Sequence, residues 1–402
     1  MRKNLIFTIV VLAVLGLMFV LSMDDNPPDD IHLVLDEGPV PVEANGFYIL
    51  LECFESMEWP EDDAWIISMS RQRAASDPEI KALLDRNRNA FALMARAGAA
   101  PTFRAPPSAD LEPPTFVAAT RDLGHLVAID ATVKLARGDE NGAFERLLQY
   151  LKLARRFQRT GEMLHYLVGS GHQASALEQI VRSAADVDGG GLVAVADRLD
   201  VYTWEEEAMV NALRREYMFL TKMVDEPFQQ LGSWKDMPVL GGYIYQRNRT
   251  RKLYADTFDA AIGGLGEACS TAPRESDLVE MPKWRYLGPN SVGRILYRIS
   301  APNLAQFTFS RCREQMSLGL TRLVLAVRAY RADFGQLPDD LSALVPRYLS
   351  ELPVDVDGQP FRYSRAREYL YSVGEDRLDY GGGEPTLAVD WKAPDPGVSL
   401  RR

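Results

Sequence analysis

An apolar run from Leu5 to Leu21, interrupted only by Thr8 and Gly16, constrains this chain more than any other feature. As a helix it rises about 1.5 Å per residue, roughly 25 Å in all, near the short limit for crossing a bilayer. Arg2 and Lys3 precede it, and Asp24, Asp25, Asp29 and Asp30 follow. Cations before and carboxylates after place the N-terminus in the cytoplasm and the bulk outside. The expectation is an uncleaved signal-anchor in a single-pass inner (cytoplasmic) membrane protein, its partner the membrane through Leu5–Leu21. A cleaved signal peptide, with Val20 and Ser22 at the small-residue positions, is the alternative. Signal h-regions usually run about 7–15 residues, and this run is longer. No cysteine follows it, which excludes a lipoprotein anchor. Both readings export the remainder to a periplasmic or extracytoplasmic space.

The chain as a whole has ordinary globular composition, 47% hydrophobic and 25% charged, so it is neither fibrous nor largely disordered. Lys plus Arg total 45 against 56 Asp plus Glu, a formal charge of -11. Such a surface repels phosphate backbones, and nucleic acid is not an expected partner. Cys53, Cys269 and Cys312 allow at most one disulfide, and Cys269–Cys312 is the pair to test first. Three buried apolar thiols are the competing reading.

Five segments follow: 1–22 signal-anchor, 23–44 linker, 45–302 exported helical domain, 303–391 a C-terminal α+β module, and 392–402 a tail. Pro27, Pro28, Gly38, Pro39 and Pro41 mark the linker. Asp77-Pro78-Glu79 starts a helix that Ile80, Leu83, Leu84, Phe91 and Met94 extend to Gly98. A second helix carries Leu123, Leu126, Val127, Asp130 and Val133 and ends at Gly138. Asp139 caps a third, with the stripe Ala143, Leu147, Leu148, Leu151, Ala154 and Phe157. A fourth runs from Glu162 and should break at Gly169-Ser170-Gly171. Short links between such helices mean antiparallel neighbours, and no second copy at a fixed period makes this a repeat solenoid. Thr203 and Glu206 suggest a capping box. Asn303 should cap a long helix ending at Gly335.

Beyond Gly335, Phe361–Tyr363, Tyr369–Val373 and Leu387–Trp391 read as three β-segments. The ordered string Ala329-Tyr-Arg-Ala-Asp-Phe-Gly-Gln-Leu-Pro338, Leu341-x-x-Leu344-Val-Pro346, Leu352-Pro-Val-Asp355, Gly358-Gln-Pro-Phe361-x-Tyr363 and Tyr371-Ser-Val-Gly-Glu-Asp376 resembles the C-terminal half of the major pseudopilin of type II secretion, pseudopilin G. The likeness covers about 75 of 402 residues. The whole plan is similar to that of large bacterial envelope proteins bearing such a tail. The family's Gly–Phe leader site and membrane Glu have no match at Arg2-Lys3-Asn4-Leu5, so assembly into a pilus is not expected. The resemblance implies a calcium loop with the carbonyl of Val373 and the carboxylate of Asp376 as ligands. A later acidic ligand is unmatched: Gly383 sits near its place, Glu384 is the nearest substitute, and Ala388 falls where relatives carry Asp. Calcium wants six to eight oxygens, so an Asp/Gly turn without metal is expected, and no cofactor.

Other constellations point less far. His165 and His172, seven apart, would stand about 10 Å apart on one helix, too far to share a metal, and a structural role is expected. His125 and His32 are isolated. Glu205, Glu206 and Glu207 diverge by about 100° per residue and suit a helix's positive first turn. Arg247, Arg249, Arg251 and Lys252 form a basic cluster, read as a solvated helix start or a contact for an anionic surface. Gly263-Gly264-x-Gly266 is too short for a dinucleotide fingerprint, and no hydrolase, zinc or P-loop signature occurs. The expected fold is mainly α: one transmembrane helix, an irregular antiparallel helical domain, and a pseudopilin-like module of a long helix with about three short strands. The expected function is non-catalytic, an interaction or structural role among envelope proteins. An exported hydrolase built from scattered carboxylates and a secretion accessory protein are the alternatives.

Overall fold

The computed structural model describes residues 2–60, 76–106, 115–185, 187, 189–225, 238–271, 288–300, 302–383, 389 and 393–401. In chain order the helices are α1 (Arg2–Leu21), α2 (Gly46–Glu55), α3 (Pro78–Arg86), α4 (Arg88–Ala99), α5 (Thr115–Ala136), α6 (Glu140–Gln158) and α7 (Met163–Ala184). Then come α8 (Leu192–Leu199), α9 (Glu206–Asp225), α10 (Pro238–Ile244), α11 (Arg247–Gly263), α12 (Ser291–Ser300) and α13 (Pro302–Phe334). Strands β1 (Arg362–Ser364), β2 (Tyr369–Tyr371) and β3 (Gly397–Ser399) form an antiparallel sheet in that order, with Tyr363 opposite Leu370 and Leu370 opposite Val398. The chain sorts into two compact units, the first comprising Met1–Glu37, Leu213–Gly266 and Pro273–Thr308. The second comprises Gly38–Ala212, Glu267–Ala272 and Phe309–Arg402.

In the first unit α1 carries the apolar run, but among the described residues no helix is long and apolar enough to cross a membrane. The expected transmembrane helix is corrected accordingly. Arg2, Lys3 and Asn4 occupy the first turn of α1, which leaves an apolar rise of about 25 Å against a hydrocarbon core of about 30 Å. Leu12, Leu15, Leu17, Phe19 and Val20 are each more than half exposed. The chain after α1 is tied down. Gln246 Nε2 donates to the carbonyls of Leu21 at 2.7 Å and Met23 at 3.1 Å. The Asp24 carboxylate accepts from the backbone N–H groups of Asn248 at 2.7 Å and Arg249 at 3.0 Å. A remote carboxylate thus caps α11, whose own N-cap residue, Gln246, makes no side-chain cap bond.

The second unit is built on α6 and α7. Asp139 caps α6 by accepting from Gly142 N at 2.9 Å, and Ala143, Leu147, Leu148, Leu151, Ala154 and Phe157 are all buried. Gly138, before it, has a φ of 79° and closes the turn from α5. Two expectations change here. Helix α7 runs unbroken through Gly169-Ser170-Gly171. A Cβ on Gly169 would meet Ala154 O at 2.7 Å and Gln158 Cγ at 2.8 Å, so this glycine permits close approach of α6 and is not a break. The helix beginning at Pro78 instead stops at Asn87, whose buried amide bridges the carbonyls of Leu83 at 2.9 Å and Glu58 at 2.8 Å. Its start is as expected, with Asp77 accepting from Glu79 N at 2.8 Å.

The tail belongs to the same core. On α13, Leu320, Leu323, Val324 and Val327 are buried in one cluster with Leu147, Leu151 and Leu177 and with Phe361, Leu370 and Val398. Gly319 lies so near the sheet that a Cβ there would meet the Phe361 ring at 3.0 Å. Gly335, with φ 72°, ends the helix, its N–H donating to Arg331 O at 2.8 Å. The helix includes Pro302 and Asn303, so Asn303 is not its cap. The third strand is Gly397–Ser399, in the stretch read as a loose tail; Pro394 and Pro396 disguise it, whereas Val398 and Leu400 are buried. Of the expected segment Leu387–Trp391, all but Val389 lies outside the described residues.

Candidate functional site

Val373, Asp376 and Glu384 are the residues expected to meet in the tail loop. Val373 is buried and its N–H donates to Asp355 Oδ2 at 2.9 Å. Asp376 Oδ1 accepts from Leu378 N at 3.1 Å and its Oδ2 from the Tyr380 hydroxyl at 3.0 Å, the bonding of an Asx turn. Glu384 lies outside the described residues. Among the described residues no group of three His, Cys, Asp or Glu side chains converges to hold a metal. The organising carboxylate of this motif is Asp355, also accepting from Ser372 Oγ at 2.5 Å and Val356 N at 2.8 Å. Burial raises its pKa, and those donors oppose the rise.

Of the histidines only His165 is a core residue; His125 and His172 are partly buried, and His32 is exposed, 2.6 Å from Asp259. His165 is fully buried, stacked on Phe116 at 5.5 Å, with Nδ1 3.3 Å from Glu162 Oε2. His172 Nδ1 shares a hydrogen bond of 2.5 Å with the Tyr150 hydroxyl, and burial lowers its pKa to about 4, so it is neutral. The basic cluster is not an open cationic surface. Arg249 pairs with Asp25 at 2.8 Å, Arg251 with Asp30 at 2.6 Å and Lys252 with Asp256 at 2.8 Å. Two of its three partners are thus linker carboxylates.

The strongest buried polar assembly lies in the second unit, where α6 and α7 face α13. Arg155 Nη1 donates to Gln158 Oε1 at 2.6 Å and to Gln173 Oε1 at 3.5 Å; Nη2 donates to the Thr203 carbonyl. Glu314 Oε2 stands 3.6 Å from Nη1, and Glu205 Oε1 3.6 Å from Nη2. Glu205 is also gripped by Arg159, whose Nε donates at 2.6 Å. Burial pushes Glu314 up to about 7 despite the opposing field of Arg155. A carboxyl near neutrality is the usual equipment of acid–base chemistry. Here, however, both partners are shut from water, Arg155 being 6% and Glu314 4% exposed. The assembly can fix helices and bind a proton; it offers no face to a substrate.

Sequence reasoning missed Arg155 and Glu314. A signal existed: Ser310, Glu314, Ser317 and Thr321 follow a 4-3-4 spacing, a second helical face, and all four are buried. Comparison with known proteins adds nothing to this geometry: no family model, curated protein or solved structure matches the chain.

Proposed function

We propose that the chain is an exported, membrane-attached envelope protein that works through contacts with other proteins and not by catalysis. The Cys269–Cys312 disulfide carries this reading, since such bonds persist in oxidising compartments and are rare in the cytosol. Cys53 stands apart, buried, with its thiol pushed up to about 12 by burial, and is therefore inert to exchange. The exposed apolar side chains of α1 supply the attachment. Of the two carboxylates nearest Arg155, Glu205 is held by Arg159, and Glu314 stands 3.6 Å from Arg155 with neither oxygen hydrogen-bonded. One observation favours a hydrolase, the near-neutral pKa of Glu314, and its burial weighs against that role. A secretion-accessory role rests on the tail's likeness alone, and fold analogy is a weak warrant.

A periplasm-dependent reporter fused after the last residue tests the location, and thiol alkylation of the denatured, unreduced protein tests the bond. An active reporter with one reactive thiol before reduction and three after is expected. A reporter active only in the cytoplasm, or three thiols reactive at once, would sink the proposal.

A further inference from the structure

A cleft of about 330 Å3 opens in the second unit, lined from α3, α4, α5 and α6. Lys81, Arg88, Lys134, Arg137 and Arg146 line it, against two carboxylates, Asp85 and Asp130. The chain as a whole carries -11, so this local excess of cations runs against the general field. Solvated cations are ordinary on surfaces; what distinguishes these is how Arg146 is held. Its guanidinium carbon lies 4.2 Å from the centre of the Phe91 ring, its Nε donates to Asp130 Oδ2 at 2.7 Å, and its Nη1 to Gln149 Oε1 at 3.3 Å. Nη2 has no hydrogen-bond partner among the described residues. Arg88 is paired with Asp85 at 2.5 Å, and Lys134 lies 3.6 Å from Asp139. Lys81, Arg137 and the outer edge of Arg146 are what remain unpaired there among the described residues.

We infer that this cleft binds a small organic phosphate. A carboxylate is met best by two parallel donors of one arginine, and on Arg146 Asp130 already occupies Nε while Gln149 occupies Nη1. Beside the free fork of Arg137 after α5, the cleft offers single donors from Lys81 on α3 and from Nη2 of Arg146 on α6, three cationic groups in all. Donors converging from different directions suit a tetrahedral dianion with three acceptor oxygens. Leu84, Val133 and Phe91 wall the remainder, which leaves room for a short organic body.

The full chain is titrated calorimetrically with inorganic phosphate and glycerol phosphate, against chloride and succinate at matched ionic strength. Saturable binding of both phosphates is expected, with none for chloride and a markedly weaker response to succinate. Lys81→Ser with Arg137→Ser should weaken phosphate about tenfold or more, the value of one lost charge-assisted hydrogen bond. Both positions are exposed, so the thermal midpoint in chloride should stay put. Arg137→Gln alone gives the same reading should the double variant lose its fold. Phosphate binding unchanged in these variants would overturn the site, and succinate binding as tight as phosphate would overturn the ligand. No saturable phosphate binding would overturn both. None of these outcomes bears on export, which the disulfide and reporter decide separately.

Discussion

The Arg155–Glu314 pair of the second unit and the Arg249–Asp25 pair of the first join the same chemical groups under opposite solvation. Side chains of the former are 7% and 4% exposed, those of the latter 35% and 43%. In the buried pair the loss of hydration dominates, and Glu314 titrates far above a normal carboxyl. In the exposed pair the hydrogen bond from Arg249 dominates and holds Asp25 below its ordinary value. The contrast shows that an ion pair's effect on folding is set by its surroundings more than by its partners. It also yields opposite responses to pH, so the comparison can be broken by measurement.

The largest effect is expected for Arg155→Ala. It leaves Glu314 buried beside Gln158 and Gln173 without a cation, and breaking a buried pair from one side costs about 3–5 kcal/mol. Chemical denaturation of the whole chain above about pH 8, where Glu314 carries its charge, measures this. A loss below about 1 kcal/mol would mean that Glu314 is not buried as described.

Glu314 itself should tilt the pH profile. Its folded pKa, about 7, exceeds its ordinary 4.5, so between these values the folded chain holds a proton that the unfolded chain releases. Its contribution is complete below about pH 4.5 and lost as pH rises through about 7, roughly 3 kcal/mol in all. His172, lowered to about 4, slopes the other way between its two pKa values. The difference between wild type and Glu314→Gln isolates the carboxyl. If both profiles are parallel from pH 4.5 to 7, Glu314 is not the titrating group.

Gly169→Ala comes next, because its methyl would press on Ala154 O and on Gln158, which holds Arg155. Overpacking of this kind costs about 1–3 kcal/mol. A neutral or stabilising alanine would mean that α6 does not approach Gly169 this closely, since alanine is otherwise the better helix former, and thermal melts decide.

How much of this was legible follows from what periodicity can encode. The stripe from Ala143 to Phe157 has one apolar face, and its burial was readable residue by residue. Asp77 and Asp139 were readable as caps because capping is local chemistry. The 169–171 glycines misled because glycine marks both breaks and close approaches, and only the neighbouring helix tells them apart. Helix α13 is buried around much of its circumference, so its apolar stripe was visible while its polar face, where Glu314 meets Arg155 of α6, was not. The last strand was lost among prolines because three residues are too few to show alternation. The linker acids looked like spacer composition, and their partners lie more than 200 residues onward, at Asn248 to Arg251.

The smallest effect closes the comparison at its exposed end. Arg249→Ala removes the pair with Asp25 at 2.8 Å but leaves the Asp24 carboxylate on the backbone of Asn248 and residue 249, since those bonds come from N–H groups. Exposed pairs contribute about 0–1 kcal/mol, and added salt weakens them within a Debye length of about 10 Å at 0.1 M. The loss should therefore be under about 1 kcal/mol and shrink in 1 M salt. Asp25 is held below its ordinary pKa, so the pair's contribution is present above about pH 4 and fades as pH falls through the folded value. That direction is the reverse of Glu314. Asp24→Ala is the internal control: it uncaps α11 while the Arg249 pair survives, and cap losses run about 0.5–2 kcal/mol with little sensitivity to salt. If Arg249→Ala proves the costlier of the two, or keeps its cost in 1 M salt, the pair is shielded from water and the contrast between the two clusters fails.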